Sequence, residues 1–165
     1  MNAPASETKT VARRRADPAD PSFELDYSPF YWLSRVSGRY VLAMGATLRR
    51  VRMDVPRWRV LMILHEHDPA SVSMIAELAV IKLSTMTRIV QRMQVEGLVS
   101  CSPRPSDARV TEVRLTPSGS AAMEQVRGQA SLIFRHAFHD ISDKEMLAFI
   151  DVLQRLFENL ESPPA

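Results

Sequence analysis

The chain has 165 residues, 45% of them hydrophobic and 24% charged, amounts that suit one globular domain with a real core rather than a disordered or fibrous chain. A formal net charge of +2 excludes bulk charge as a reason to expect a polyanionic partner, although a sequence pI near 9.0 leans basic, so charge has to be judged by its arrangement. A lone cysteine, Cys101, excludes an intrachain disulfide framework and fits a reducing compartment. With no apolar run near the roughly 20 residues of a membrane span and no apolar segment behind the N-terminal arginines, a cytoplasmic protein without membrane contact is expected.

Residues 1–27 are rich in Ala, Pro, Asp, Ser and Thr, with Pro4, Pro18 and Pro21 among them. Too little apolar area is present to offset ordering entropy, so this stretch is expected to be a disordered, mobile arm. Arg13, Arg14 and Arg15 within it read first as a solvated charge run and second as an extra phosphate contact. Ser28 followed by Pro29 marks a helix start. Leu33, Val36, Tyr40, Met44, Leu48 and Val51 then recur at helical spacing to about Arg52. A second helix follows Asp54, carries Val60, Leu61, Ile63 and Leu64, and stops at Asp68-Pro69.

Two short helices are expected next. Ser73 caps one containing Ile75, Ala76, Leu78 and Ala79; Ser84 opens the other, with Met86, Val90 and Met93 on its buried face and Gly97 at its end. Val99 to Cys101 reads as a strand, Pro103 to Ala108 as a turn-rich tip, and Val110 to Leu115 as a returning strand of period two. Thr116 caps a helix over 117–138 with Met123, Val126, Ala130, Ile133 and Ala137 on one face. Ser142 and Glu145 form a capping box for the last helix, whose stripe is Met146, Ile150, Leu153, Phe157 and Leu160; Pro163 and Pro164 end the order.

Helix, short turn, helix and hairpin is the winged helix-turn-helix layout. If Met86, Val90 and Met93 face inward, the opposite face presents Ser84, Thr85, Thr87, Arg88, Gln91 and Arg92, with no acid until Glu96. Short hydroxyls followed by arginine and glutamine are what a helix in the major groove requires, whereas an ordinary solvated face would carry a carboxylate. Over 82–114 the basic residues Lys82, Arg88, Arg92, Arg104, Arg109 and Arg114 outnumber Glu96, Asp107 and Glu112, so positive charge is local.

The segments SMIAELAVIKLSTMTRIVQRMQVEGLV (73–99) and DARVTEVRLTPSG (107–119), with PRWRVL (56–61), resemble the MarR family of winged helix-turn-helix regulators over most of residues 30–160. The resemblance rests on the ELA helix, the STxTR start of the recognition helix, EGLV leading into the strand, the DxR wing and LTPSG opening the next helix. It implies a transcriptional regulator, more often a repressor, on double-stranded operator DNA, with Ser84, Thr85, Thr87, Arg88, Gln91, Arg92, Arg104, Asp107 and Arg109 at the interface. In the family the aspartate corresponding to Asp107 braces the arginine, here Arg109, that probes the minor groove. The chain departs from the family where many members have glycine in the helix-turn-helix turn, here Val80, and often arginine after GLV, here Ser100 and Cys101.

The expected architecture is mainly α with a small β-hairpin wing: a winged helix-turn-helix lobe at 54–116 between N- and C-terminal dimerisation helices at 28–53 and 117–162. These long amphipathic helices offer more apolar surface than one small core covers, so a homodimer on a pseudo-palindromic site is expected. Family members typically answer small molecules, commonly aromatic or phenolic, in a cleft beside the dimerisation helices. FYWLSRVSGRY (30–40) places Trp32, Arg35, Arg39 and Tyr40 on one helix, with His65 ending the next, a set suited to an aromatic carboxylate or its thioester; dimer packing with solvated arginines is the alternative. Metal sensing by His65, His67, His136 and His139, oxidant sensing by Cys101, and a protein-interaction module that never touches DNA are further alternatives. No nucleophile elbow, phosphate loop or dinucleotide fingerprint is present, so neither an enzyme nor a cofactor is expected.

Overall fold

A computed structural model describes residues 5–161, with side chains from Val11 onward. Residues 1–4 of the expected arm, and the prolines Pro163 and Pro164 expected to end the order, lie outside the described residues. The elements in order are α1 (Ala5–Ala16), α2 (Pro29–Leu48), α3 (Val55–Glu66), β1 (Ala70–Ser71), α4 (Val72–Leu78), α5 (Leu83–Val95), β2 (Val99–Arg104), β3 (Asp107–Leu115), α6 (Pro117–Ala137) and α7 (Asp143–Glu161). The expected mainly helical architecture with a β wing is the one observed. The sheet is antiparallel in the order β1-β3-β2, with Cys101 opposite Val113 and Ser71 opposite Glu112.

Local capping sets most of the helix starts. The Ser28 hydroxyl accepts from the Tyr31 amide with Pro29 at the first helical position, Asp54 accepts from the Arg57 amide, and Thr116 accepts from the Gly119 amide. Ser142 and Glu145 make the reciprocal box: the Ser142 amide donates to Glu145 Oε2 at 2.9 Å and the Glu145 amide to Ser142 Oγ at 3.4 Å. Two starts differ from the sequence reading. Ser71, not Ser73, caps α4, since pairing of Ala70 with Val113 brings the chain in extended as far as Ser71, whose Oγ accepts from the Met74 amide at 3.1 Å. At α5 the cap position is Lys82, which makes no side-chain capping bond, and Ser84 already lies within the helix.

The largest departure is over residues 5–27, expected to be a mobile arm. The chain instead forms α1 and a 3-10 turn at Leu25–Tyr27. Polar rather than apolar contacts order it. Arg15 donates to the Tyr27 hydroxyl at 2.7 Å, lies 4.7 Å from its ring centroid and pairs with Glu24 at 3.1 Å. Arg14 pairs with Asp20 at 3.0 Å. The Ser22 hydroxyl and amide, with Arg14, pull the Asp20 carboxyl down to about 2. Arg14 and Arg15 are thus engaged inside the arm rather than presented with Arg13 as one basic face.

The core gathers behind the helix-turn-helix. Met44 and Leu48 from α2, Leu61 and Leu64 from α3, Ile75 from α4, Met86, Val90 and Met93 from α5, Val113 from β3, and Met123 and Val126 from α6 are all buried. From α2 only the C-terminal half contributes buried residues; α6 contributes them from its N-terminal half, with Ala130 and Ile133 further along packed against the core while partly exposed. α7 has no buried residue. At the seam between wing and α6, the Thr116 hydroxyl donates to the Gly97 carbonyl at 2.6 Å. A Cβ on Gly119 would stand 1.9 Å from the Leu98 carbonyl oxygen, so that position admits no side chain.

The turn between α4 and α5 is closed by Val80 at φ 54°, where the Val80 amide donates to Glu77 O at 3.0 Å and the Ile81 amide to Ala76 O at 2.9 Å. This left-handed conformation is what glycine supplies freely and what a β-branched residue adopts only under strain. The Val80 side chain is 84% exposed and so gains little from burial in return. Replacing Val80 with Gly is expected to raise stability by about 1 kcal/mol, relief of strain outweighing the entropy of the freer unfolded chain. Chemical denaturation at fixed protein concentration measures this, and a loss of stability contradicts the strained-turn reading.

Candidate nucleic-acid interface

The face of α5 opposite Met86, Val90 and Met93 is open to solvent. Ser84, Thr85, Arg88, Gln91 and Arg92 are exposed, and Thr87 is half-buried at the edge of the stripe. The Thr87 hydroxyl donates to the Leu83 carbonyl at 2.9 Å, a bond back into its own helix. Ser84, Arg88, Gln91 and Val95 follow one another at i, i+4, i+7 and i+11, so a single row runs the length of the helix. Val95 is 89% exposed and belongs to that row; the sequence reading stopped at Arg92 and missed it.

Two of the other basic candidates are drawn back by acids. Arg92 Nε donates to Glu96 Oε1 at 2.9 Å, and Arg104 Nε to Glu112 Oε1 at 2.9 Å. Glu112 is buried beneath the wing stem and has Arg114 at 3.7 Å on its other oxygen, so Arg104 serves the stem more than the tip. Glu96 also receives Arg57, whose side chain is only 11% exposed and also donates to Asp54 at 3.1 Å and the Arg52 carbonyl at 2.9 Å. Burial opposes ionisation of Glu96, but the Arg57 and Arg92 hydrogen bonds together hold its carboxyl below the ordinary range. Arg57 was not among the expected site residues. The spacing of Asp54 and Arg57 hinted at a local pair, but nothing in the sequence pointed to a partner 39 residues on.

At the wing tip, Arg109 is 92% exposed and held from behind by Asp107. Its Nε donates to Oδ1 at 3.0 Å, its Nη2 to Oδ2 at 3.3 Å and its backbone amide to Oδ1 at 3.1 Å. These Arg109 bonds, side chain first, keep the Asp107 carboxyl below the ordinary range. The result is a guanidinium with its direction set and its outer edge free, on a tip made by Pro105 and Ser106.

Away from this face, Trp32, Arg35, Arg39 and Tyr40 of α2 line one cleft of about 660 Å³ with Ile133, His136 and Ala137 of α6. Arg35 donates to the Tyr31 hydroxyl at 2.9 Å and lies 5.7 Å from the Trp32 ring centroid, while Trp32 Nε1 donates to the Asp26 carbonyl at 2.8 Å. His65 is exposed in the last turn of α3 and does not line this cleft; His136 takes the place expected of it. The sequence groups His65 with the α2 set because it ends the next helix in the chain, whereas the crossing of α2 with α6 decides the neighbour. Among the described residues no group of three or more His, Cys, Asp and Glu comes together. Cys101 is half-buried opposite Val113, and burial pushes its thiol up, away from the reactive thiolate. Among the described residues no helix is long and apolar enough to cross a membrane.

Known proteins share this arrangement. The MarR family model matches residues 53–111, the stretch holding α3, the helix-turn-helix and most of the wing. The transcriptional repressor IacR of Pseudomonas putida is 39% identical over 161 residues, 98% of this chain and 96% of its own. Two solved structures share the fold at 22% identity. CouR of Rhodococcus jostii, bound to p-coumaroyl-CoA, has a TM-score of 0.74 over 81% of this chain and 94% of its own. BpsR of Bordetella bronchiseptica, whose DNA binding is regulated by 6-hydroxynicotinic acid, has 0.73 over 81% and 96%. The chain belongs to the MarR family and is a transcriptional repressor of that type.

Proposed function

We propose that this protein is a cytoplasmic homodimeric repressor that reads a pseudo-palindromic operator and is released from it by a small aromatic acid or its thioester. The observation that carries the DNA reading is the pairing of an acid-free row on α5 with the Asp107-braced Arg109 at the wing tip. Arg88 and Gln91 have the donors and acceptors for purine edges in the major groove, with Ser84 and Thr85 at the phosphate end of the helix. A cation held outward on the wing suits a narrow minor groove, where negative potential concentrates.

Support for the dimer comes from apolar side chains that no described element of the chain covers. Phe30, Val36 and Leu42 on α2 are 53%, 59% and 70% exposed, and Leu147, Phe157 and Leu160 on α7 are 62%, 64% and 63% exposed. So much clustered apolar area is unusual for a soluble monomer. A second copy packed on these helices would bury it and set two recognition helices one turn of DNA apart. The effector reading rests on the α2–α6 cleft, where Arg35, Arg39 and His136 offer cationic or hydrogen-bonding groups beside Trp32 and Tyr40. A neighbouring cleft of about 380 Å³ shares Tyr40 and adds Trp58, Phe134 and Phe138, room for an aromatic body. CouR and BpsR, of the same fold, are recorded with p-coumaroyl-CoA and 6-hydroxynicotinic acid.

Fluorescence anisotropy on an operator duplex at fixed salt tests the DNA face. Replacing Arg88 with Ala should cost roughly 1–3 kcal/mol and relax preference at one base position, while Arg109→Ala should weaken operator and scrambled duplexes alike. Wild-type affinity in both variants contradicts the docking. For the effector, an aromatic carboxylate or thioester that releases wild-type protein should need about tenfold more ligand with Arg39→Ala, with unchanged DNA affinity before ligand is added. A panel of such compounds that leaves DNA affinity untouched contradicts this part.

A further inference from the structure

Arg92 stands beside the outward row of α5, and it is the strongly exposed cation of that helix that the protein itself has engaged. Its side chain is 64% exposed, yet its Nε donates to Glu96. An i, i+4 pair on an open helix surface is ordinarily loose. Here the acid is not free to follow the arginine. Glu96 is the C-cap residue of α5, a position where a negative charge opposes the helix dipole, so the helix alone gives no reason for a carboxylate there. What holds it is Arg57, which takes the other Glu96 oxygen and is itself fixed by Asp54 and the Arg52 carbonyl at the start of α3. The chain of contacts therefore runs from the turn after α2, through a largely buried guanidinium, to an acid at the end of α5 and on to an exposed arginine of the same helix.

We propose that Glu96, anchored by Arg57, is a specificity-setting residue of the DNA interface: it withholds the Arg92 guanidinium from the phosphate backbone and so keeps the sequence-independent part of the affinity low. Among the described residues Arg88 and Gln91, the proposed base-reading groups, have no acid partner, while the cation one turn beyond Arg88 is paired with Glu96. A phosphate contact by Arg92 would raise binding to every sequence alike, which lowers the ratio of operator to non-operator affinity. The low pKa of Glu96 keeps the carboxylate charged throughout the neutral range, so the restraint is permanent rather than switched.

The test is a double-mutant cycle on full-length protein with a scrambled duplex and an operator duplex recovered by selection from random DNA. The slope of log affinity against log salt is measured for each. Glu96→Gln should steepen the scrambled-duplex slope by about 1 per protomer and raise affinity about tenfold near 0.1 M salt, narrowing the operator preference. Arg92→Ala in the wild-type background should leave slope and scrambled affinity nearly unchanged, and in the Glu96→Gln background should abolish the gain. A slope that falls by about 1 in Arg92→Ala alone shows that Arg92 already binds phosphate and overturns the proposal. So does Glu96→Gln with unaltered or weaker scrambled binding in a variant whose thermal unfolding shows it folded. If Glu96→Gln does not fold, the single Arg92→Ala measurement, which leaves the buried Arg57 pairing intact, decides.

Discussion

The buried row Met86, Val90 and Met93 is what the rest of the molecule is arranged around. All three side chains are essentially removed from water among Leu61 and Leu64 of α3, Ile75 of α4 and Val113 of the wing. Each stabilises the fold by about 1.5–3 kcal/mol, and a rotation of α5 that exposed them would lose most of that at once. Their burial fixes which way the helix faces, and with a period of 3.6 residues the outward row is then determined as Ser84, Arg88, Gln91 and Val95. The proposed DNA face is the geometric complement of the core, so on that reading interface and stability share one source.

Charge on the lobe follows a second rule. The three acids near the interface, Glu96, Asp107 and Glu112, are each bonded to arginine. The consequences differ because the arginines differ. Arg109 is aimed by its acid and left open at its outer edge; Arg104 is drawn against the stem; Arg92 is tied to an acid that a buried guanidinium holds in place. Counting basic residues gives more cations on this lobe than stand free of an acid, since Arg92, Arg104 and Arg109 each hold one. On the proposed DNA face this leaves fewer free cations for sequence-independent phosphate contact than the basic residues alone would give.

How much could be read in advance depended on the range of the interactions involved. The helix starts at Ser28, Asp54, Thr116 and Ser142 were legible, because a cap bonds an amide two or three residues away. So were the inward faces of α5 and α6, which are matters of period. The start of α4 shifted because its cap is set by strand pairing between Ala70 and Val113, far apart in the chain. The arm was misjudged because apolar content is a poor guide where Arg14 and Arg15 do the ordering through Asp20, Glu24 and Tyr27. Trp32, Arg35, Arg39 and Tyr40 were grouped correctly by helical spacing, but replacing His65 with His136 required knowing how α2 meets α6. The unusual Val80 was visible as a departure from glycine, and its positive φ gives that departure a physical meaning.

The proposal that two copies of this lobe, paired through the exposed faces of α2 and α7, sit together on DNA is most directly tested by hydroxyl-radical footprinting on an operator duplex recovered by selection. A dimer docking two recognition helices, each with an Arg109 wing beside it, predicts two symmetric protected patches centred about 10 base pairs apart, flanked by minor-groove protection that Arg109→Ala removes. A single protected patch of one half-site, or flanks that persist without Arg109, would contradict it.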